Sequence, residues 1–144
     1  MLARMDAPCV IDIAAFEARA IPLGAWNHRA HLTIAYLYLR EHGLAGAIER
    51  MRRGIQAFNA AAGVADTPTS GYHETLTVAW LRVIDTMMRI HGPGAGPDEF
   101  LESQPYLLNR LLLRLFYSRP RIMSEEAKKA FVEPDLAPLP AAPR

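Results

Sequence analysis

A chain of 144 residues and 16.0 kDa is one domain by length, and it is long enough to bury a core without disulfide or metal staples. Sixteen basic and fifteen acidic side chains leave a net charge of +1, so no overall field recommends nucleic acid or an anionic membrane as a partner. The hydrophobic half of the chain is rich in Ala, Leu and Met, which leans towards helix, and the single cysteine, Cys9, excludes an internal disulfide and fits a reducing cytoplasm.

The first predicted helix covers 12–20, with Asp12 as N-cap and Pro22 beyond its end. Asp6, Asp12 and Glu17 break the stretch in which a secretory signal needs an apolar run. A second helix starts after Asn27, a good capping residue, and stops at Gly43. Its apolar stripe reads His28, His31, Leu32, Ala35, Tyr38, Leu39. A third runs from Leu44 to Ala62 with Leu44, Ile48, Met51, Ile55 and Phe58 at helical spacing, and Gly63 ends it. Glu49, Arg50, Arg52, Arg53 and Gln56 fall on its outer face.

Residues 64–71, with Asp, Thr, Pro, Ser and Gly, form a loop, and Thr69 or Ser70 is the expected cap of a fourth helix ending at His91. The stripe of that helix reads His73, Leu76, Thr77, Trp80, Val83, Ile84, Met87. A loop over 91–97, a short helix over 98–103, a longer one from Pro105 to Ser118 and a last short one from Ser124 to Phe131 follow. The run 107–117 is rich in leucine but broken by Arg110 and Arg114, and no window reaches the ~18 uncharged apolar residues that a membrane helix needs. Nothing reads as a strand. The expectation is an all-α, single-domain antiparallel helical bundle over 1–133, with four main helices plus short C-terminal helices, and a Pro-rich extended tail over 134–144.

Connectivity turns this order of elements into a candidate site. Short links between the second, third and fourth helices favour antiparallel neighbours, so the second and fourth helices begin at the same end. His28 and His31 lie in the first turn of one and His73 in the first turn of the other. An i, i+3 histidine pair leaves one helix face, and a third imidazole completes the ligand number of an open zinc site. Iron, nickel or manganese suit imidazole as well. Helix dipoles disfavour protonated imidazoles here, as metal binding requires.

Glu74 is the candidate fourth ligand or general base. Thr77 stands where the second histidine of an H-E-x-x-H site would be, and no glutamate precedes a histidine by three residues as in di-iron bundles. Tyr72, Thr69, Ser70, Trp26 and Asn59 fall at the same end and are candidate substrate contacts. His42 and His91, each before a glycine at a helix C-terminus, belong to the opposite end. Arg110, Arg114, Arg119 and Arg121 read as solvated charges, and the Met87–Met88 and Leu-rich stretches as core or as a homodimer face.

Two functions fit. One is a mononuclear divalent-metal protein, a metal-dependent hydrolase of a small molecule. The other is a metal-free binding module whose histidines and hydroxyls hold a small anionic ligand, or whose surface meets a protein partner. The segments WNHRAHL (26–32), TPTSGYHETLTVAW (67–80) and FVEPDLAPLP (131–140) resemble those of a family of small bacterial helical proteins, and that resemblance implies no activity.

Overall fold

The computed structural model describes residues 9–141; Asp6 and the end of the 134–144 tail lie outside them. The described chain is mostly helical, with helix α1 at Ile13–Glu17, α2 at His28–Ala62, α3 at Glu74–His91, α4 at Pro97–Ser103, α5 at Arg119–Ile122 and α6 at Glu125–Lys129. Short 3-10 turns occupy Leu23–Ala25, Pro105–Leu108 and Leu112–Leu115. Among the described residues the one β feature is an isolated bridge between Thr67 and Ser70.

Several predicted caps are in place. Asp12 accepts from Ala15 N at 2.7 Å, Asn27 accepts from Ala30 N at 2.9 Å, and Ser124 accepts from Ala127 N at 3.1 Å. Gly63 closes α2 in the left-handed region. Helix α1 is shorter than expected. It ends at Glu17, and Arg19 turns the chain at φ 56°.

The predicted second and third helices form one hydrogen-bonded run broken at Gly43, whose φ of 74° and ψ of −177° are not helical. The chain folds back there. Along a straight helix, positions 26 and 58 would stand about 48 Å apart. The rings of Trp26 and Phe58 instead lie 5.2 Å apart, and Phe16 of α1 stacks on both. Residues 28–42 and 44–62 therefore lie side by side in opposite directions. The close approach of α1 is made possible by Gly54, where a Cβ would stand 2.3 Å from the Phe16 ring.

The backbone of Gly43 lies in a region open essentially to glycine alone, while no atom crowds the place of its missing Cβ. Gly43→Ala is accordingly expected to destabilise the fold by about 1–3 kcal/mol through backbone strain alone. Urea denaturation of the variant checks this, and an unchanged midpoint would contradict the hairpin geometry.

Helix α3 packs against α2 on one side and α6 on the other. It buries Thr75, Val78, Ala79, Leu81, Val83, Ile84 and Thr86. Of the expected core stripe, His73, Leu76, Thr77 and Trp80 are not buried. They form a cavity wall.

The expected helix from Pro105 to Ser118 is absent. Two 3-10 turns replace it, and between them Asn109 accepts Leu111 N at 3.0 Å, a local turn that competes with helix. Residues 130–132 are pinned to the body. The Thr75 hydroxyl donates to Ala130 O and accepts Val132 N, and Tyr117 donates to Val132 O. The tail has no regular secondary structure as far as Ala141, bends over 135–137, and is docked, with Leu136 N on Phe116 O and the Thr86 hydroxyl on Pro140 O.

Candidate functional site

The N-terminal ends of α2 and α3 meet across a cavity of about 440 Å³. His28, His31 and His73 all line it, as do Trp26, Tyr72 and, from the 3-10 segment, Arg110. Leu32, Met51, Ile55, Leu81 and Ile84 make its apolar floor. The convergence expected from helix order is present. The chemistry of the three imidazoles is another matter, because their nitrogens are already committed to different degrees.

His73 is the N-cap of α3, in place of the expected Thr69 or Ser70. Its backbone is extended and its Nδ1 accepts Leu76 N at 3.1 Å. Its Nε2 lies 2.9 Å from Ile122 O. A backbone N–H can only donate and a carbonyl can only accept, so the partners assign the tautomer: Nδ1 bare, Nε2–H donating. Both nitrogens are occupied. Burial, then the nearby Lys128, push this imidazole below its ordinary value, while its backbone hydrogen bonds pull the other way.

His28 uses one nitrogen. Its Nε2–H donates to Leu107 O at 2.9 Å, which fastens the 3-10 segment over the start of α2. Its ring stands edge-on to Trp80 at 4.8 Å. Burial lowers its pKa, the hydrogen bond to Leu107 partly restores it, and the Arg110 guanidinium lowers it again.

His31 is the exception. It lies against the Trp26 ring at 4.1 Å, and its Nε2 is buried with no hydrogen-bond partner. Burial, followed by the neighbouring His28, pushes its pKa down to about 4. It is neutral near pH 7, and an unpaired buried polar nitrogen is disfavoured by about 1–3 kcal/mol until something meets it.

Glu74 does not face the histidines. Its carboxylate takes a two-point contact from Arg52, at 2.9 and 2.6 Å, and a 2.6 Å hydrogen bond from the Tyr72 hydroxyl. The arginine is the main cause of its lowered pKa. It does not line the cavity. Arg52, expected on the outer face of its helix, draws it away. Tyr72 contributes ring to the cavity while its hydroxyl is spent on Glu74, and burial then that carboxylate raise its pKa.

Thr69 and Ser70 are exposed in the bridged turn before Gly71, and Asn59 sits half-buried near the end of α2; none of the three lines the cavity. His42 and His91 do not line it either.

Among the described residues no group of three or more His, Cys, Asp or Glu side chains is placed to hold a metal ion. His73 has both ring nitrogens engaged and Glu74 is paired with arginine, whereas His28 keeps its Nδ1 lone pair, and the bond from its Nε2–H to a carbonyl is of the kind that orients metal-binding histidines.

Residues not singled out by sequence reading complete the walls. Trp80 and Thr77 were taken for core, and Arg110 for a solvated charge. The interruption of a leucine run by Arg110 was the available signal. No helix among the described residues is long and apolar enough to cross a membrane. The chain matches no family model, and neither a curated protein nor a solved structure is similar to it.

Proposed function

We propose that this protein is a metal-independent binding module that takes a small, largely apolar organic molecule into the cavity between α2 and α3. The observation that carries this reading is a ligand-sized, mostly apolar cavity walled by Trp26, Trp80 and three imidazoles, behind whose surface the Nε2 of His31 is buried without a partner. Native interiors rarely leave such a nitrogen unpaired, so a small turn of the His31 ring that brings it to a hydrogen-bonding group on a ligand is favoured. Cavities of this size, apolar with a few fixed polar groups, are the usual form of small-molecule sites.

Binding is favoured over metal-dependent hydrolysis because no carboxylate among the described residues lines the cavity to serve as base or ligand. The hydrolase reading needed Glu74 there, and its carboxylate is held by Arg52 and Tyr72.

The chain has two tryptophans, Trp26 and Trp80, and both line the cavity, so intrinsic fluorescence reports directly on its occupation. Chelator-treated full-length protein is expected to respond to members of a panel of one- and two-ring alcohols, phenols and acids. It should also gain about 2.7 kcal/mol of stability at a hundredfold excess over Kd. His31→Phe should lose most of that response. A response that appears only when zinc is restored, or about one equivalent of metal in purified protein, would overturn the reading in favour of the metalloenzyme.

A further inference from the structure

The cavity has a charge as well as a shape. Among the described residues no Asp or Glu lines it, and Arg110 carries the one formal charge of its lining. The imidazoles there are held neutral by burial. Two helix N-termini add to the same sign. Asn27 and His73, the caps of α2 and α3, both line the cavity, so the positive ends of two long helices open onto it.

Among the described residues Arg110 lacks the carboxylate pairing that four other arginines of the fold have. Arg29 pairs with Asp98, Arg52 with Glu74, Arg53 with Glu49 and Arg89 with Asp85. Among the described residues no carboxylate lines the cavity beside Arg110, and the arginine is solvent-exposed. Its position is not left to a free loop. Leu107, three residues earlier, is tied by its carbonyl to His28.

We infer that the ligand is a monoanionic organic carboxylate with an aromatic body, its carboxylate at Arg110 and its ring among Trp26, Trp80 and the apolar floor. This rests on the cavity being a ligand site. A cation would meet Arg110 and two helix dipoles of its own sign. A dianionic phosphate would bring one charge more than the single guanidinium offsets, against walls that are mostly apolar and penalise unpaired charge. A carboxylate matches one guanidinium in number and in planar geometry. A hydroxyl on the far end of such a ligand would meet the His31 nitrogen once that ring turns out of its buried position against Trp26.

The test uses 3-(4-hydroxyphenyl)propionate, 3-(4-hydroxyphenyl)propan-1-ol and 3-phenylpropionate, titrated by calorimetry into chelator-treated full-length protein. At low salt the hydroxy acid is expected to bind about fivefold more tightly than the hydroxy alcohol, the scale of a solvent-exposed ion pair. The gap should narrow as salt rises. Arg110→Gln should remove it and Arg110→Lys should keep part of it. Arg110 is exposed, so neither variant disturbs the core, and far-ultraviolet circular dichroism confirms that both fold. The phenyl acid lacks the hydroxyl and should bind less tightly, and His31→Phe should erase that difference while sparing the acid-over-alcohol gap.

Equal binding of acid and alcohol by the native protein overturns the carboxylate assignment and leaves the cavity reading standing. So does a gap that survives Arg110→Gln. Binding that requires added zinc overturns the metal-independent reading itself, and no binding of any of the three overturns the carboxylate assignment.

Discussion

Acidification from pH 7 to pH 4.5 is expected to remove about 2 kcal/mol of folding stability through His31 alone. The sign follows from where the proton goes. In the fold, burial holds this imidazole at about 4, whereas in the unfolded chain it titrates near 6.5. Between those values the unfolded chain takes up a proton that the native state refuses, so stability is present above about 6.5 and is lost as pH falls towards 4. His28 and His73 are lowered as well and add to the loss in the same window. Glu74, lowered by Arg52, acts separately, because its contribution is lost only as pH falls below the ordinary carboxylate range.

Urea denaturation at a series of pH values reads the slope, and His31→Phe should flatten it. The same substitution removes a buried nitrogen that has no partner, and replaces it with a ring of similar size. It should therefore raise stability at pH 7 by about 1 kcal/mol while weakening ligand binding. A variant with the parent's slope and no gain at pH 7 would mean that His31 finds a partner in the unliganded protein.

The convergence of the three histidines was legible because it depends on features that sequence states openly. Asn27 before a helix, Gly43 and Gly63 at helix ends, and short links between elements suffice to bring two N-termini together. What each nitrogen does was not legible, since it is decided by backbone carbonyls distant in sequence. Leu107 is 79 residues from His28, and Ile122 is 49 from His73. Glu74 was misplaced for a similar reason. Helical rotation alone puts it at the edge of the histidine face, but it takes Arg52 from the neighbouring arm of α2 and Tyr72 to turn the carboxylate away.

The 105–118 segment shows local chemistry overriding pattern. Its leucines have helical spacing. Asn109 nevertheless offers its own turn, and the segment must present Leu107 O to His28 and the Tyr117 hydroxyl to Val132 O, 15 residues on. The breaks that result leave Arg110 solvent-exposed in the cavity lining. The stripe of α3 was read as core because spacing cannot distinguish a wall facing a cavity from one facing another helix.

His73→Ala separates the two readings of the site most sharply, since each predicts a large effect of a different kind. If His73 is a cap and a tether, the substitution removes the acceptor of Leu76 N and leaves Ile122 O without its donor. Loss of an N-cap is worth about 1 kcal/mol, and orphaning a half-buried carbonyl about 1 more, for a total of about 2 kcal/mol. That loss should be the same with and without chelator. His73→Asn should recover about half, because asparagine caps as well as any residue but is too short to reach the Ile122 carbonyl.

If His73 were instead a metal ligand, chelator would lower the stability of the parent protein and the substitution would add nothing in its presence. The two readings also divide on binding. A cap whose nitrogens are both occupied affects a ligand only by shifting the wall that carries Tyr72 and Leu76, so His73→Asn should bind the hydroxy acid nearly as the parent does. His31, whose buried Nε2 has no partner, should remain the histidine whose loss is felt by the ligand rather than by the fold.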